Sequence, residues 1–244
     1  MKLVIGESKE RIGKDASKLG MELINQAIKT KGFANVIFAT GSAQFEMLGN
    51  LVTLPIDWKS VNGFHLDEYI GLSISHKASF RKFLKERLVD IVHPGNFYYI
   101  DGEVNPDLEC RRLNDIIKKH PIDVAFVGIG ENSHLAFNDP PADFNTEEPY
   151  IQVTLDEPCR RQQMGEGWFP TFDDVPKKAI SMSIQQILKS ENIIAVVPER
   201  RKAKAVQLTL ESEIGPNVPA SAMRNHAKTT LFLDRESSSL LKAK

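Results

Sequence analysis

The sequence predicts an α/β fold, a mostly parallel Rossmann-like sheet with helices on both faces, as a single domain over residues 1–244. Short β-branched runs that stop abruptly at Gly, Thr, Asp or Asn recur along the chain, and longer stretches with apolar residues three and four apart separate them. The alternation continues from end to end. Parallel strands covered by helices follow, with a ligand crevice beyond the carboxyl ends of the strands.

The first strand is expected over Lys2 to Ile5, followed by a helix whose Leu19, Leu23, Ala27 and Ile28 share one face. Strands follow over Val36 to Thr40 and Val61 to Leu66, then a helix over Ser79 to Val89. The run Phe97 to Ile100 reads as a strand, and Leu108, Leu113, Ile116 and Ile117 mark the next amphipathic helix. Val124 to Val127 is the most apolar strand. A helix is expected over Pro176 to Leu188, opened by a proline where a first-turn donor is dispensable. The strand Ile193 to Val197, the helix Arg200 to Leu210 and the strand Thr229 to Leu233 complete the series. Asp139 to Pro149 and Met164 to Val175 read as long loops, either lids or surface excursions.

Composition narrows the function. With 31 Lys+Arg against 32 Asp+Glu the net charge is −1, so nothing favours a nucleic-acid partner. At 41% hydrophobic and 26% charged residues the chain has the make-up of a soluble globular protein. Its two cysteines, Cys110 and Cys159, are too few to staple it and lack CxxC spacing, which points to a reducing compartment. The amino terminus becomes charged within a few residues, and the apolar runs fall short of the roughly 20 residues that cross a bilayer. A cytoplasmic protein without a membrane partner is expected. Homo-oligomer formation is left open.

Four motifs fall after strands. Phe38-Ala39-Thr40-Gly41-Ser42-Ala43-Gln44 is a small-residue turn leading into a helix, where amides and hydroxyls can hold an anion or where Ser42 acts only as a cap. No Gly-Lys-Ser/Thr sequence supports nucleotide chemistry. Phe64-His65-Leu66-Asp67-Glu68-Tyr69 ends in two carboxylates, a general base, a helix start or a solvated turn. No second ligand cluster beside His65 and Asp67 argues for a metal. The segment from Val127 to Pro141 carries Gly128, Gly130, Asn132, His134 and Asp139, and a histidine oriented by a carboxylate exchanges protons near neutrality. Its Pro140-Pro141 exit argues against a dinucleotide fingerprint. Glu199-Arg200-Arg201-Lys202 places cations against a helix start, which suits an anionic ligand. Lys202 is the preferred candidate among them.

On these residues the sequence resembles the glucosamine-6-phosphate deaminase family, within the wider group that includes 6-phosphogluconolactonases. The matching landmarks are Thr40-Gly41-Ser42, Leu66 through Leu72, Glu109-Cys110-Arg111, Gly128 through Pro140, Lys202-Ala203, and Pro219-Ala220-Ser221 with His226. The lactonase branch is expected to show Asp-Glu-Arg and His-Thr-Ala-Ser, where this chain has Asp67-Glu68-Tyr69 and His134-Leu135-Ala136-Phe137. The resemblance implies conversion of a 2-amino-2-deoxyhexose 6-phosphate, glucosamine 6-phosphate above all, to a ketose 6-phosphate with release of ammonia. Asp67 would move the proton between C2 and C1, and His134, with Asp139 and Asn132, would assist ring opening. Thr40, Gly41, Ser42 and Lys202 would hold the phosphate, with no cofactor and no metal. Three positions depart from the family: Asn132 stands where Asp is usual, Asp139 where Glu is usual, and Gly165 where an Arg reaches the phosphate, leaving Arg160 or Arg161 to replace it. A non-catalytic sugar-phosphate sensor and a 6-phosphogluconolactonase are the alternatives.

Overall fold

The computed structural model describes residues 1–242; residues 243 and 244, included in the single-domain expectation, lie outside them. In chain order the elements are β1 Lys2–Ile5, α1 Lys9–Lys31, β2 Ala34–Phe38, α2 Phe45–Leu51, β3 Val61–His65, β4 Asp67–Tyr69 and α3 Phe80–Leu84. The last runs through a π turn at Lys85–Val89 into α4 Asp90–Val92. There follow β5 Asn96–Tyr98, α5 Pro106–Ile117, β6 Val124–Val127, β7 Tyr150–Thr154, α6 Glu157–Gly165, β8 Lys178–Met182, α7 Ile184–Leu188, β9 Asn192–Val197, α8 Ala203–Glu211 and β10 Thr229–Leu233.

The main sheet runs β1-β10-β9-β6-β2-β3-β5, and every neighbouring pair is parallel. After β2 the chain builds outward through β3 and β5, then returns to lay β6 on the other side of β2. The order therefore reverses between β2 and β6, and in open α/β sheets the crevice at such a reversal holds the ligand.

Strand alternation divides the core between two faces. Val36, Phe38, Val124, Phe126, Ile194 and Val196 pack beneath α1, α2 and α3. Ile37, Ala39, Ala125, Val127, Ile193, Ala195 and Val197 pack against α5, α7 and α8. Val36–Phe38, Val124–Val127 and Ile193–Val197 are thus apolar at every position, as a sheet covered on both faces requires. The two longest helices start on side-chain caps: Ser8 Oγ accepts from Arg11 N at 3.3 Å, and Asn105 Oδ1 accepts from Asp107 N at 3.0 Å and Leu108 N at 3.1 Å.

A second sheet, β4-β8-β7, is antiparallel and was not anticipated. It corrects two expectations. Asp67-Glu68 is neither a helix start nor a solvated turn but part of a buried strand, paired with Ser181 and Ile180. The helix expected over Pro176 to Leu188 is instead β8 followed by α7, with Ser183 capping the latter through Gln186 N at 3.2 Å. Ala179 packs in a third core with Tyr69, Phe80, Phe137 and Phe169, while Ile180 and Met182 pack in the main one. A strand buried on both faces loses its alternation, and its apolar spacing then fits a helix equally well. The loop expected from Met164 begins as the end of α6. No helix among the described residues is long and apolar enough to cross a membrane.

Candidate active site

The carboxyl ends of β2, β3, β6 and β9 open into one cleft of about 630 Å³, counting its open mouth. Gly41, with φ 92°, turns the chain after β2 so that Thr40, Gly41 and Ser42 line it. Gln44 fastens this turn by donating to Val196 O at 3.2 Å, tying it to β9. Asp67, His134 and Lys202 line the same cleft, whose aromatic wall is Phe80 and Phe137. The structure brings together residues that lie up to 162 positions apart in the chain. Asp139 and Asn132 stand behind His134 rather than on the lining.

Alternation in β4 gives the two adjacent carboxylates opposite surroundings. Glu68 turns inward and accepts from Ser79 Oγ at 2.7 Å, Arg81 N at 2.9 Å and Tyr69 N at 2.9 Å, with Arg81 Nε 3.5 Å away. Arg81 in turn holds Asp101 at 2.6 Å and Glu103 at 2.9 Å, so Glu68 belongs to a knot that anchors α3 to β4. Asp67 faces the cleft and is 7% exposed. Burial, together with the charge of Glu68, pushes its carboxyl up to about 8. His65 is a core imidazole: its Nε2 accepts from Ile100 N at 2.8 Å, and burial drives it down to about 3, so it stays neutral.

His134 sits on a tightly folded loop in which Ser133 and Ala136 have φ 70° and 50°. Its Nδ1 lies 3.0 Å from Asp139 Oδ1, close in distance but off the direction of a well-formed hydrogen bond. Asn132 braces both: its Oδ1 accepts from His134 N at 3.2 Å, and its Nδ2 donates to Asp139 at 3.0 Å and Asp156 at 3.1 Å. Asp156 N donates to the other Asp139 oxygen at 3.0 Å. Burial pushes the Asp139 carboxyl up, yet His134 first, then Asn132 and the Asp156 amide, outweigh it and hold the group below its ordinary range. Gly130 is required here, because a side chain on it would overlap the His134 ring. Asp139, one methylene shorter than glutamate, thus reaches the imidazole without a bridging water.

His134, Asp139 and Cys159 also offer three ligand atoms within 4.8 Å of one another, the one such group among the described residues. Burial, first, and the neighbouring Asp139 charge drive the Cys159 thiol far above its ordinary range. A protonated thiol facing a carboxylate is a hydrogen-bond donor to it, and loading a metal there would require its deprotonation.

At the anion end, burial pulls Lys202 down to about 8 despite the opposing charge of Glu166. The sequence reading passed over its neighbour Arg201, which lines the cleft and donates to Ser42 Oγ at 3.1 Å. Neither Arg160 nor Arg161 takes the place left by Gly165. Arg160 is buried against Val175 O at 2.9 Å and Phe172 O at 2.9 Å, and Arg161 pairs with Glu157 on the surface. Gln162, Gln163 and Glu166 from α6 and its end also line the cleft and were missed. His226 is structural, bonded to Thr229 Oγ1 at 2.9 Å and Ser190 O at 2.8 Å.

A parallel α/β sheet with an acid, an imidazole and cations facing one crevice at its reversal point defines a protein suited to acid–base work on a small anionic molecule. A family model described as glucosamine-6-phosphate isomerases/6-phosphogluconolactonase matches residues 7–232. A glucosamine-6-phosphate deaminase from Bacillus pumilus (strain SAFR-032) is 35% identical over 248 residues, covering 98% of this chain and 100% of the relative. One from Listeria monocytogenes (strain ATCC BAA-679 / EGD-e) is 33% identical over 227 residues, covering 92% and 95%. Among solved structures, a monomeric glucosamine-6-phosphate deaminase superposes with TM-score 0.90 at 30% identity, covering 98% of this chain and 100% of that one. The 6-phosphogluconolactonase of Thermotoga maritima shares the fold, with TM-score 0.79 at 16% identity and coverage of 96% and 99%. The chain belongs to the glucosamine-6-phosphate isomerase/6-phosphogluconolactonase family.

Proposed function

We propose that the chain is an enzyme that converts glucosamine 6-phosphate to a ketose 6-phosphate and ammonia. The observation that carries this reading is the convergence of Asp67, His134 and the Thr40–Ser42/Lys202 anion end on one cleft. The full-length similarity to deaminases supports it. In the open-chain sugar the C2 hydrogen is acidic because C1 is a carbonyl. Asp67, a cleft carboxylate with a raised affinity for protons, takes that proton and returns it to C1. The nitrogen gives up a proton to O1 and is left as a C2 imine, which water hydrolyses to the ketone and ammonia. His134, held by Asp139, moves the proton that opens the ring between the ring oxygen and the C1 hydroxyl. The phosphate rests at Thr40, Gly41, Ser42 and Lys202, which fixes the reacting carbons against Asp67. A cytoplasmic setting suits the sugar-phosphate substrate.

The lactonase alternative rests on shared fold alone, and a fold does not assign a reaction. The test is coupled detection of ammonia and ketose 6-phosphate from purified protein given glucosamine 6-phosphate, with 6-phosphogluconolactone as the comparison substrate. Stoichiometric ammonia and ketose support the reading. Acid release from the lactone without deamination, or no turnover of either compound, would overturn it.

A further inference from the structure

Arg201, the cation nearest the cradle serine, is fully engaged by the protein itself. Its Nη1 lies 2.8 Å from Glu166 Oε1 and 3.2 Å from Glu131 Oε1, and its Nε lies 2.7 Å from Glu199 Oε2. Three carboxylates on one guanidinium leave excess negative charge in a wall that otherwise supplies cations. They are not equivalent. The side chains of Glu131 and Glu199 are 39% and 31% exposed, so water screens them, whereas that of Glu166 is 8% exposed and lines the cleft together with Lys202. The remaining partners of Glu166 are neutral: Gln162 Nε2 at 2.9 Å and Trp168 Nε1 at 3.2 Å. Glu166 thus holds a desolvated anionic group where a bound anion would draw on the same donors.

We propose that Glu166 is a built-in competitor for the anion end of the cleft, and that Arg201 is the second cationic ligand of the substrate phosphate, released to it when Glu166 gives way. The inference rests on the reading above, in which the phosphate lies at Thr40–Ser42 and Lys202. The chain provides for the exchange. Glu166 follows the last residue of α6 and stands between Gly165 and Gly167, the latter at φ 81°, so neither neighbour has a side chain to crowd its carboxylate when it swings away from Arg201. A planar guanidinium binds two phosphate oxygens at once, and a dianion meets Arg201 and Lys202 together. A singly charged sulfate ester or carboxylate competes with Glu166 without that advantage. The device therefore selects doubly charged phosphate esters over singly charged anions of similar shape.

Trp168 gives the exchange a signal independent of turnover, because its indole donates to Glu166. The chain has two tryptophans, so Trp58→Phe leaves Trp168 as the sole indole. Inorganic phosphate is titrated into this full-length protein with fluorescence readout, and into the protein with both tryptophans by calorimetry, which keeps the test alive should the Trp58 variant fold poorly. Binding is expected to change Trp168 emission. Glu166→Gln is expected to tighten phosphate about tenfold, lower KM for the sugar phosphate in parallel with little change in kcat, and narrow the preference for glucosamine 6-phosphate over its singly charged 6-sulfate ester. Arg201→Ala is expected to weaken phosphate about tenfold or more, with part recovered by Arg201→Lys. Unchanged or weaker phosphate binding in Glu166→Gln would overturn the proposal, since Glu166 would then merely brace Arg201. Loss of binding in Lys202→Met alongside an unaffected Glu166→Gln sinks this proposal alone. Phosphate binding insensitive to both Lys202→Met and Ser42→Ala sinks the phosphate reading with it.

Discussion

Replacing Asp67 with asparagine should make the protein more stable and abolish its chemistry. The carboxyl titrates at about 8 in the folded chain against an ordinary 3.8, because it is buried and lies beside Glu68. For an acid raised in this way the neutral form is the one folding favours. The penalty is absent below 3.8, grows as pH rises and levels off above about 8. At about 1.36 kcal/mol per pH unit, the interval from 3.8 to pH 7 amounts to roughly 4 kcal/mol, and asparagine, which cannot ionise, is spared it. For a chain of this size that corresponds to a rise of about 10 °C in Tm. Thermal melts of both proteins at pH 4, 7 and 8.5 should show near-coincidence at pH 4 and a gap that widens with pH. Turnover should fall by at least about 10²-fold. A variant that melts below wild type at pH 7, or a gap indifferent to pH, would refute the claim that this carboxylate is strained by its surroundings. Such a group destabilises the fold at the place where the proposed chemistry needs it.

Three other outcomes follow from the same geometry. The pH profile of kcat/KM should be a narrow bell centred near 8, because Asp67 must lose its proton and Lys202 keep its own, and both titrate at about 8. Lys202→Arg, which stays charged, should remove the alkaline limb while leaving the acid one. Gly130→Ala puts a carbon into the His134 ring and should lower kcat by about 10- to 100-fold in a folded protein; steady-state kinetics within twofold of wild type would show that the ring's seat is not needed. Arg81→Met strips the cation from the fully buried Glu68 and should cost about 3 kcal/mol, seen as a fall in denaturation midpoint. An unchanged midpoint would mean that the amides around Glu68 suffice.

The strands of the main sheet were legible because each apolar run stops at a turn residue, and the chemistry gathers at those stops. Thr40-Gly41-Ser42, Asp67, His134 and Lys202 could therefore be singled out and do share a cleft. The antiparallel sheet was hidden because β8 is covered on both faces, which erases the period-2 signal, and β4 is three residues long. Pattern alone did not separate Asp67 from Glu68, and only the family resemblance favoured Asp67, since strand alternation is what sends one to the cleft and the other to Arg81. Arg201 and Lys202 are adjacent cations in a basic run, and burial decides their roles: Lys202 is 4% exposed, while Arg201 is held by carboxylates from three separate segments. Glu166 carries no local pattern at all. Its place in the cleft depends on how α6 packs, and only the guanidinium opposite gives it meaning.

The central claim is that Asp67 moves a proton between neighbouring carbons of a sugar anchored by its phosphate. Turnover of glucosamine 6-phosphate in D₂O, followed by NMR of the ketose 6-phosphate, tests this most directly. Deuterium is expected at C1, at one of its two hydrogen positions, with wild-type protein. Asp67→Asn should yield neither product nor exchange at C2 while still binding the sugar phosphate. An Asp67→Asn variant that deaminates the substrate at a rate near wild type would contradict the claim.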